Sequence, residues 1–297
     1  MDKKEFKDTI DKVSHLTGIQ TFIIEKDYHL TCLLERIVSK VPSIIIKGGT
    51  SLSKCFHIIN RFSEDIDLNV LVNGLKVTKS IRRLVNKAII ESIEELSYKL
   101  TNKEDIKSRM DYNKYTIDYN PIYDILGLRQ YIIIETAYNI KSYPVEKKNV
   151  KSLIEEKANT VVSQKSFHLP MVNIYSQNLV RTFIDKLFAI CDYYINNKYV
   201  SHSRHLYDIF MIYPYISFDN DFYALFNEIK ELRKNHPYSY TIKTNKGIIE
   251  IITEIINSDY YKNDYNNITS KLLFDNVSYN DCIKTLNIII ETMRLFI

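Results

Sequence analysis

The chain of 297 residues lacks several features that define whole classes of protein. It has no tryptophan, only 6 glycines and 6 prolines, and 4 cysteines that never form a C-x-x-C pair. Scattered cysteines argue against a disulfide scaffold or a cysteine metal site and favour a reducing cytoplasm. No stretch approaches the roughly 20 apolar residues that cross a bilayer, so no membrane partner is expected. The start of the chain carries charges without a following apolar run, unlike a signal peptide.

The composition is that of an ordinary folded protein with a small positive charge. Apolar residues make up 45% of the chain and charged residues 26%, which excludes wholesale disorder. The net charge of +4 permits an anionic partner without identifying one. Residues 76–114 hold ten basic against six acidic residues, and 229–246 hold five against one. Such clusters could hold a polyanion such as RNA, although solvated helix faces often carry similar lysines.

Hydrophobic periodicity changes about halfway along the chain. Short apolar or alternating runs predict strands at 43–47, 65–72, 112–119 and 130–140. Helical spacing predicts helices at 20–41, 76–101, 178–195, 203–213, 220–235, 246–257 and 279–296. We therefore predict an α+β fold with an α/β domain at 1–150 and a mostly helical domain at 151–297. With no flexible linker between the two, a cleft between them is the natural place for a site.

A glycine pair follows the first predicted strand, in the sequence Lys47-Gly48-Gly49-Thr50-Ser51. Glycines at this position let the backbone approach a ligand closely, and the N–H groups of a helix start attract phosphate. Thr50 and Ser51 are natural cap residues for the following helix and add hydroxyl donors. The spacing is not that of a P-loop, and an ordinary strand-to-helix turn is the alternative.

Two aspartates alternate on the next predicted strand. Since alternate strand residues face the same side, Asp65 and Asp67 project together while Ile66 and Leu68 enter the core. Paired carboxylates suit Mg²⁺, which also takes phosphate oxygens of a substrate, although two solvated aspartates are the alternative. A phosphate cradle followed by a carboxylate pair is what metal-assisted nucleotide transfer needs. The cradle holds the triphosphate, and the carboxylates hold the ions that align it.

These motifs resemble those of the AbiEii/AbiGii toxin family of nucleotidyltransferase-fold proteins. The resemblance is carried by KGGTSLSK at 47–54, RFSEDIDL at 61–68 and the E-K-D-aromatic stretch at 25–28. It extends to a lysine-bearing helix at 185–189 and to an R-x-L-Y-D segment at 204–208. The motifs stand in the expected order, whereas the chain after about residue 210 carries none that we assign.

The resemblance implies a nucleotidyltransferase-like mixed sheet with flanking helices, followed by a helical domain. It implies an enzyme that moves a nucleoside monophosphate from an NTP to an acceptor and releases pyrophosphate. Mg²⁺ would bind at Asp65 and Asp67. The triphosphate would be held by four residues of the glycine motif with help from Lys186, namely Gly48, Gly49, Thr50 and Ser51.

A third carboxylate would orient or deprotonate the acceptor hydroxyl. The resemblance makes Asp208 a candidate, and Glu135 is the best-placed acid on a strand, with Asp118 as its rival. Lys186 has an alternative role as the ion-pair partner of Asp208. Arg61 is expected to shape the turn that presents Asp65.

The biological role that the resemblance implies is that of the toxin in a toxin–antitoxin or phage-defence pair. Its acceptor would be the 3′ end of tRNA, its partner a cognate antitoxin, and its location the cytoplasm. Three alternatives remain: transfer of the nucleotide to protein side chains, transfer of phosphate alone, and a catalytically silent module that binds nucleotide.

Overall fold

The computed structural model describes residues 3–61, 63, 65–72, 76–123, 130–161 and 167–295. The chain forms two compact units. Unit 1 comprises Met1–Cys55 and Ser63–Ser176, and unit 2 comprises Phe56–Phe62 and Gln177–Ile297. Two positions of the RFSEDIDL motif, Phe62 and Glu64, lie outside the described residues.

Unit 1 is built on a mixed sheet of seven strands in the described part of the chain. The strands are β1 Ile44–Lys47, β2 Asp65–Val70, β3 Lys99–Leu100, β4 Tyr112–Asp118, β5 Tyr131–Ala137, β6 Val145–Lys151 and β7 Met171–Gln177. Their order is β3-β4-β5-β2-β1-β7-β6, with β2 antiparallel to β1 and parallel to β5. Strand β1, which ends directly before the glycine pair, and strand β2, which carries the two aspartates, are therefore neighbours inside the sheet.

Five helices in the described residues of unit 1 accompany this sheet. They are α1 Lys3–Thr17, α2 Thr21–Lys40, α3 Gly48–Lys54, α4 Lys79–Glu95 and α5 Leu153–Val161. The apolar stripe of α2 packs against α1, α4 and α5. Phe6 and Ile10 of α1 close against Tyr28 and Cys32 of α2 in one buried cluster. The three isoleucines of β1 are fully buried, as expected for a strand whose two faces are both covered.

Unit 2 is helical in the described residues. Its helices are α6 Leu179–Ile195, α7 Arg204–Ile212, α8 Asn220–Arg233, α9 Tyr240–Lys243, α10 Ile248–Asn257, α11 Lys262–Asn267 and α12 Tyr279–Arg294. Helix α6 is central and contacts α7, α8, α9 and α10. None of the described helices of the chain has the length and apolar character needed to cross a membrane.

The unit boundary differs from the prediction of residue 150. Strand β7 lies beyond that residue, yet it pairs in parallel with β1, with Ile45 opposite Tyr175. Its short alternating pattern of buried and exposed residues lies in a region that the sequence predicts to be mostly helical. The segment Phe56–Phe62 also belongs to unit 2, because the N–H of Phe274 donates to the carbonyl of Asn60 at 2.7 Å. Both differences arise from pairings between residues far apart in the sequence.

Candidate active site

A row of charged side chains runs across four neighbouring strands of the unit 1 sheet. Lys47 of β1 lies opposite Asp67 of β2, and Asp67 lies opposite Glu135 of β5. Glu135 in turn lies opposite Lys114 of β4. Directly opposed residues on neighbouring strands face the same side of a sheet, so the four side chains project together. Asp65, two residues before Asp67 on β2, projects from this face as well.

Asp65, Asp67 and Glu135 form what we call the carboxylate cluster. Burial raises the pKa of Glu135, and the negative charges of Asp67 and Asp65 raise it further. Lys114 opposes this effect, with its Nζ 3.7 Å from Glu135 Oε1. Burial and the charge of Glu135 also raise the pKa of the Tyr112 hydroxyl, which hydrogen-bonds Glu135. The cluster thus concentrates negative charge that a cation would relieve.

The raised pKa of Glu135 leads to a stability prediction. A carboxyl whose pKa is higher in the folded protein stabilises the fold below its unfolded pKa, and this stability is lost as the pH rises through the folded pKa. Glu135→Gln should therefore raise the free energy of unfolding at pH 7 by about 0.5–1 kcal/mol. Below about pH 4, where the unfolded carboxyl is protonated, the difference should vanish.

Urea unfolding at several pH values measures this difference. Glu94→Gln is the matched control, because Glu94 is exposed on α4. A Glu135→Gln protein that is less stable than the wild type at pH 7 would contradict the repulsion in the cluster.

The carboxylate cluster fits a divalent cation that shares its ligands with a substrate. Asp65 and Asp67 offer two carboxylates from one strand face, and Mg²⁺ typically takes one or two carboxylates together with phosphate oxygens. In the described part of the chain, no group of three or more His, Cys, Asp or Glu side chains is placed to hold a metal ion. At such a site, substrate phosphates and water would complete the coordination.

Gly48 lies directly against the Asp67 carboxylate. Its φ of +73° is in the left-handed region that glycine enters without steric cost. A Cβ built on Gly48 would stand 2.2 Å from Asp67 Oδ2, far inside van der Waals contact. A side chain at this position would therefore strain the backbone and push the Asp67 carboxylate aside. The first glycine of the motif, Gly48, and the second aspartate, Asp67, are therefore in direct contact.

The hydroxyls of Thr50 and Ser51 are engaged within unit 1. Thr50 Oγ1 donates to the carbonyl of Asp65, and Ser51 Oγ donates to the carbonyl of Gly48 at 2.9 Å. Helix α3 begins at Gly48 with Lys47 as its N-cap residue, so the predicted cap at Thr50 or Ser51 is wrong. Both residues lie inside the helix, and Thr50 instead ties α3 to β2. A ligand at this loop would meet backbone N–H groups.

The register separates Glu135 from its rival Asp118. Asp118 lies opposite Tyr131 on β5, four residues from Glu135 and about 13 Å away along the strand. Its Oδ1 accepts the N–H of Asn120 at 2.8 Å and closes a local turn. Glu135 is therefore the strand carboxylate that lies beside Asp67, and Asp118 is not part of the cluster.

The acids of the E-K-D stretch anchor distant segments of unit 1. Glu25 accepts the backbone N–H groups of residues 122–123 at 2.6 and 3.1 Å. Asp27 accepts the N–H of Leu153 at 2.7 Å and pairs with the ammonium of Lys54. The structure therefore gives these two carboxylates a folding role on α2.

A second group of charged residues is buried inside unit 2. Asp208 of α7 accepts hydrogen bonds from Arg61 Nε at 2.7 Å and Nη2 at 2.8 Å. Lys186 Nζ of α6 donates to Asp208 Oδ2 at 2.6 Å. Burial opposes the ionised form, but the two cations outweigh it and hold the pKa of Asp208 well below its usual range. We call Arg61, Lys186 and Asp208 the buried ion cluster.

The buried ion cluster changes how three sequence motifs are understood. Lys186 pairs with Asp208, which is the structural alternative considered for it. Arg61, assigned to a turn from the sequence, instead bonds a carboxylate 147 residues away. No local pattern could have indicated this pairing. The residues next to this pair are also bonded: the hydroxyl of Tyr207, which precedes Asp208, accepts the N–H of Asn60, which precedes Arg61, at 2.9 Å.

A comparison with known protein families shows which family this chain belongs to. The family model described as "Nucleotidyl transferase AbiEii toxin, Type IV TA system" matches residues 32–282. The chain belongs to the AbiEii nucleotidyltransferase toxin family. The resemblance found in the sequence motifs is thereby confirmed. As an AbiEii protein it is a nucleotidyltransferase toxin of a type IV toxin–antitoxin system, and the family implies an NTP substrate and an antitoxin partner.

The solved structure of one toxin confirms the predicted fold class. MenT4, a nucleotidyltransferase toxin from Mycobacterium tuberculosis H37Rv, is 14% identical with a TM-score of 0.50, covering 96% of this chain and 89% of that chain. JHP933 from Helicobacter pylori is 14% identical with a TM-score of 0.44 and covers 89% of each chain. A search of the curated proteins found no match. At this identity the likeness to MenT4 establishes the fold alone.

Proposed function

We propose that this AbiEii toxin transfers a nucleoside monophosphate from an NTP to the 3′ end of tRNA, with Mg²⁺ held by Asp65 and Asp67. The observation that carries the proposal is the carboxylate cluster, in which Asp67 lies against the backbone of Gly48, the first residue of α3. Phosphate and divalent cation are the two ligands that these neighbouring features suit. We place the reaction in the cytoplasm, as part of a phage-defence or toxin–antitoxin response.

In the proposed reaction, the acceptor hydroxyl oxygen forms a bond to the α-phosphorus. The bond from that phosphorus to the bridging oxygen of the β-phosphate breaks, and pyrophosphate leaves. Glu135 accepts the hydroxyl proton, because its raised pKa makes it a stronger base than an ordinary carboxylate. Asp208 is less suited to this role, since Arg61 and Lys186 hold its pKa low. Bound Mg²⁺ would supply neutralisation of charge on the leaving pyrophosphate.

The triphosphate would be held mainly by backbone groups. Gly48 and Gly49 expose their main chain to a ligand, and Thr50 and Ser51 would contribute N–H groups because their hydroxyls are engaged elsewhere. A contribution of Lys186 to triphosphate binding is carried over from the family motif. Its buried bond to Asp208 equally supports a structural role. The transfer rate of a folded Lys186→Met variant distinguishes triphosphate binding from this structural role.

The charge distribution along the chain bears on the acceptor. The basic excess in residues 76–114 favours a polyanion such as tRNA. Transfer to protein side chains would use the same carboxylate cluster. A silent nucleotide-binding module would not need Glu135 beside Asp67.

Labelled substrates separate these possibilities. Purified protein is incubated with Mg²⁺, total tRNA and each NTP labelled in turn at the α- or the γ-phosphate. Label from the α position on RNA supports the proposal and identifies the donor, whereas label from the γ position on any acceptor indicates phosphate transfer. Label on protein only would redirect the proposal to protein acceptors. No transfer from any NTP would favour the binding module.

Two matched glycine variants test the contact between Gly48 and Asp67. Gly18 has a φ of +71°, and a Cβ added there meets nothing within 4 Å. Gly18→Ala should therefore cost only about 1 kcal/mol of stability and keep its activity. Gly48→Ala has the same backbone strain and also displaces Asp67, so it should lose more stability and most of its transfer rate. Equal transfer rates in the two variants would contradict the role of this contact.

A further inference from the structure

Unit 2 contains a cavity of about 370 Å³ that no step of the proposed reaction uses. Phe188 of α6 and Phe226 of α8 line it, and their rings stack at 5.3 Å with an angle of 20° between the planes. Ile248 and Ile249, in the first turn of α10, contribute further apolar wall. A concave, largely apolar site with a few polar groups is typical of small-molecule binding.

The charged groups at this cavity are positive. Lys230 of α8 and Lys246 line it, and none of the described residues lining it is acidic. Lys246 pairs with Glu254, whereas Lys230 forms no ion pair with any residue that the structure describes. The ammonium of Lys230 is therefore available to a negatively charged ligand.

The start of α10 adds backbone donors to the same wall. Gly247 is the N-cap residue and makes no side-chain cap bond. The N–H of Ile251 donates to the carbonyl of Gly247, so the N–H groups of Ile248 and Ile249 precede the first bond of the helix. Such N–H groups favour negative charge, as Lys230 does.

A buried hydrogen-bond network supports the walls of the cavity. Asp192 accepts hydrogen bonds from the N–H and Oγ1 of Thr241 at 2.7 and 2.6 Å, and from Arg233 Nη1 at 3.0 Å. The Arg233 guanidinium lies 4.8 Å from the centroid of the Phe188 ring. Because Thr241 and Phe188 both line the cavity, the network holds two of its walls in place. A preformed site loses little free energy to ordering on binding.

We propose that this cavity binds a small organic anion. Its aromatic or apolar body would lie against Phe188 and Phe226. Its acidic group, a carboxylate, sulfonate or phosphate, would contact Lys230 and the first N–H groups of α10. Unit 2 thus has a ligand site of its own, and its chemistry differs from that of the carboxylate cluster in unit 1.

Calorimetric titration of the full chain with 8-anilinonaphthalene-1-sulfonate, an aromatic anion, tests the proposal. We expect one saturable site whose dissociation constant rises about fivefold in Lys230→Gln, because one charge-assisted contact is lost. Lys234→Gln is the matched control, since Lys234 follows the same helix but does not line the cavity. The uncharged N-phenyl-1-naphthylamine should bind the wild type and Lys230→Gln equally.

A second pair of variants tests the position of the site. Asn227 lines the cavity, and its neighbour Glu228 on α8 is exposed but does not line it. Asn227→Trp should fill the space and abolish binding, whereas Glu228→Trp should retain it, with circular dichroism confirming that both fold. Absence of binding to the wild type, or equal affinity in all four variants, would overturn the proposal. Because the readout is binding, the result is independent of transfer activity.

Discussion

Asp67→Asn is expected to slow nucleotide transfer by at least about a hundredfold, equivalent to about 2.7 kcal/mol of transition-state stabilisation. Asparagine keeps the shape of the side chain that lies against Gly48 but removes the charge that would hold Mg²⁺. The same change relieves repulsion within the carboxylate cluster. The folded protein should therefore be no less stable than the wild type, which separates a catalytic loss from unfolding.

The loss of the Asp67 charge should also be visible at Glu135. Because Asp67 raises the pKa of Glu135, its removal should lower that pKa. The acid limb of the residual pH–rate profile should then move to lower pH, because Glu135 stays ionised, and able to accept a proton, to lower pH. Asp65→Asn should behave similarly.

Transfer of α-labelled NTP to tRNA measures these rates, and Asp118→Asn is the control. Asp118 is a strand carboxylate of the same sheet but lies opposite Tyr131, away from the cluster. It should keep full activity. If Asp67→Asn and Asp118→Asn were equally active, the carboxylate cluster would not be the active site.

Asp208→Asn is expected to cost about 3–5 kcal/mol of the free energy of unfolding, because it leaves two cations buried without their carboxylate. Arg61, Lys186 and Asp208 are all at least nine-tenths buried, so water cannot replace the lost partner. Lys186→Met should cost no more than about 2 kcal/mol, since Asp208 keeps its two bonds to Arg61. The double variant Lys186→Met/Asp208→Asn should be more stable than Asp208→Asn alone.

The pH dependence of this cluster has the opposite sign to that of Glu135. The pKa of Asp208 is lowered in the folded protein, so its stabilisation is present above the unfolded pKa of about 3.9 and is lost as the pH falls. The stability difference between the wild type and Asp208→Asn should narrow on going from pH 5 to pH 2.

Urea unfolding of the wild type, the two single variants and the double variant measures these free energies of unfolding. Equal stabilities of Asp208→Asn and Lys186→Met would contradict a shared buried carboxylate. The transfer rate of folded Lys186→Met then decides what else Lys186 does. A normal rate assigns it a structural role only, whereas a rate lowered by tenfold or more in a stable variant assigns it to the reaction.

Several features of this protein follow from the sequence by itself. The alternation of Asp65 and Asp67 with buried neighbours follows from the two-residue period of a strand, and the register confirms that period. The extent of α2 follows from helical spacing, which the structure reproduces within one residue at each end. The relationship to AbiEii proteins also follows from short motifs. These features are local, so spacing along the chain is enough to determine them.

Other features depend on tertiary structure. The choice of Glu135 over Asp118 needs the β2–β5 register, and the unit boundary needs the return of the chain to the sheet through β7. The bond from Arg61 to Asp208 joins residues separated by 147 positions. The contact of Gly48 with Asp67 depends on which strands are neighbours. Periodicity determines which way a side chain points within its own element, and only the packing of distant elements decides what it meets there.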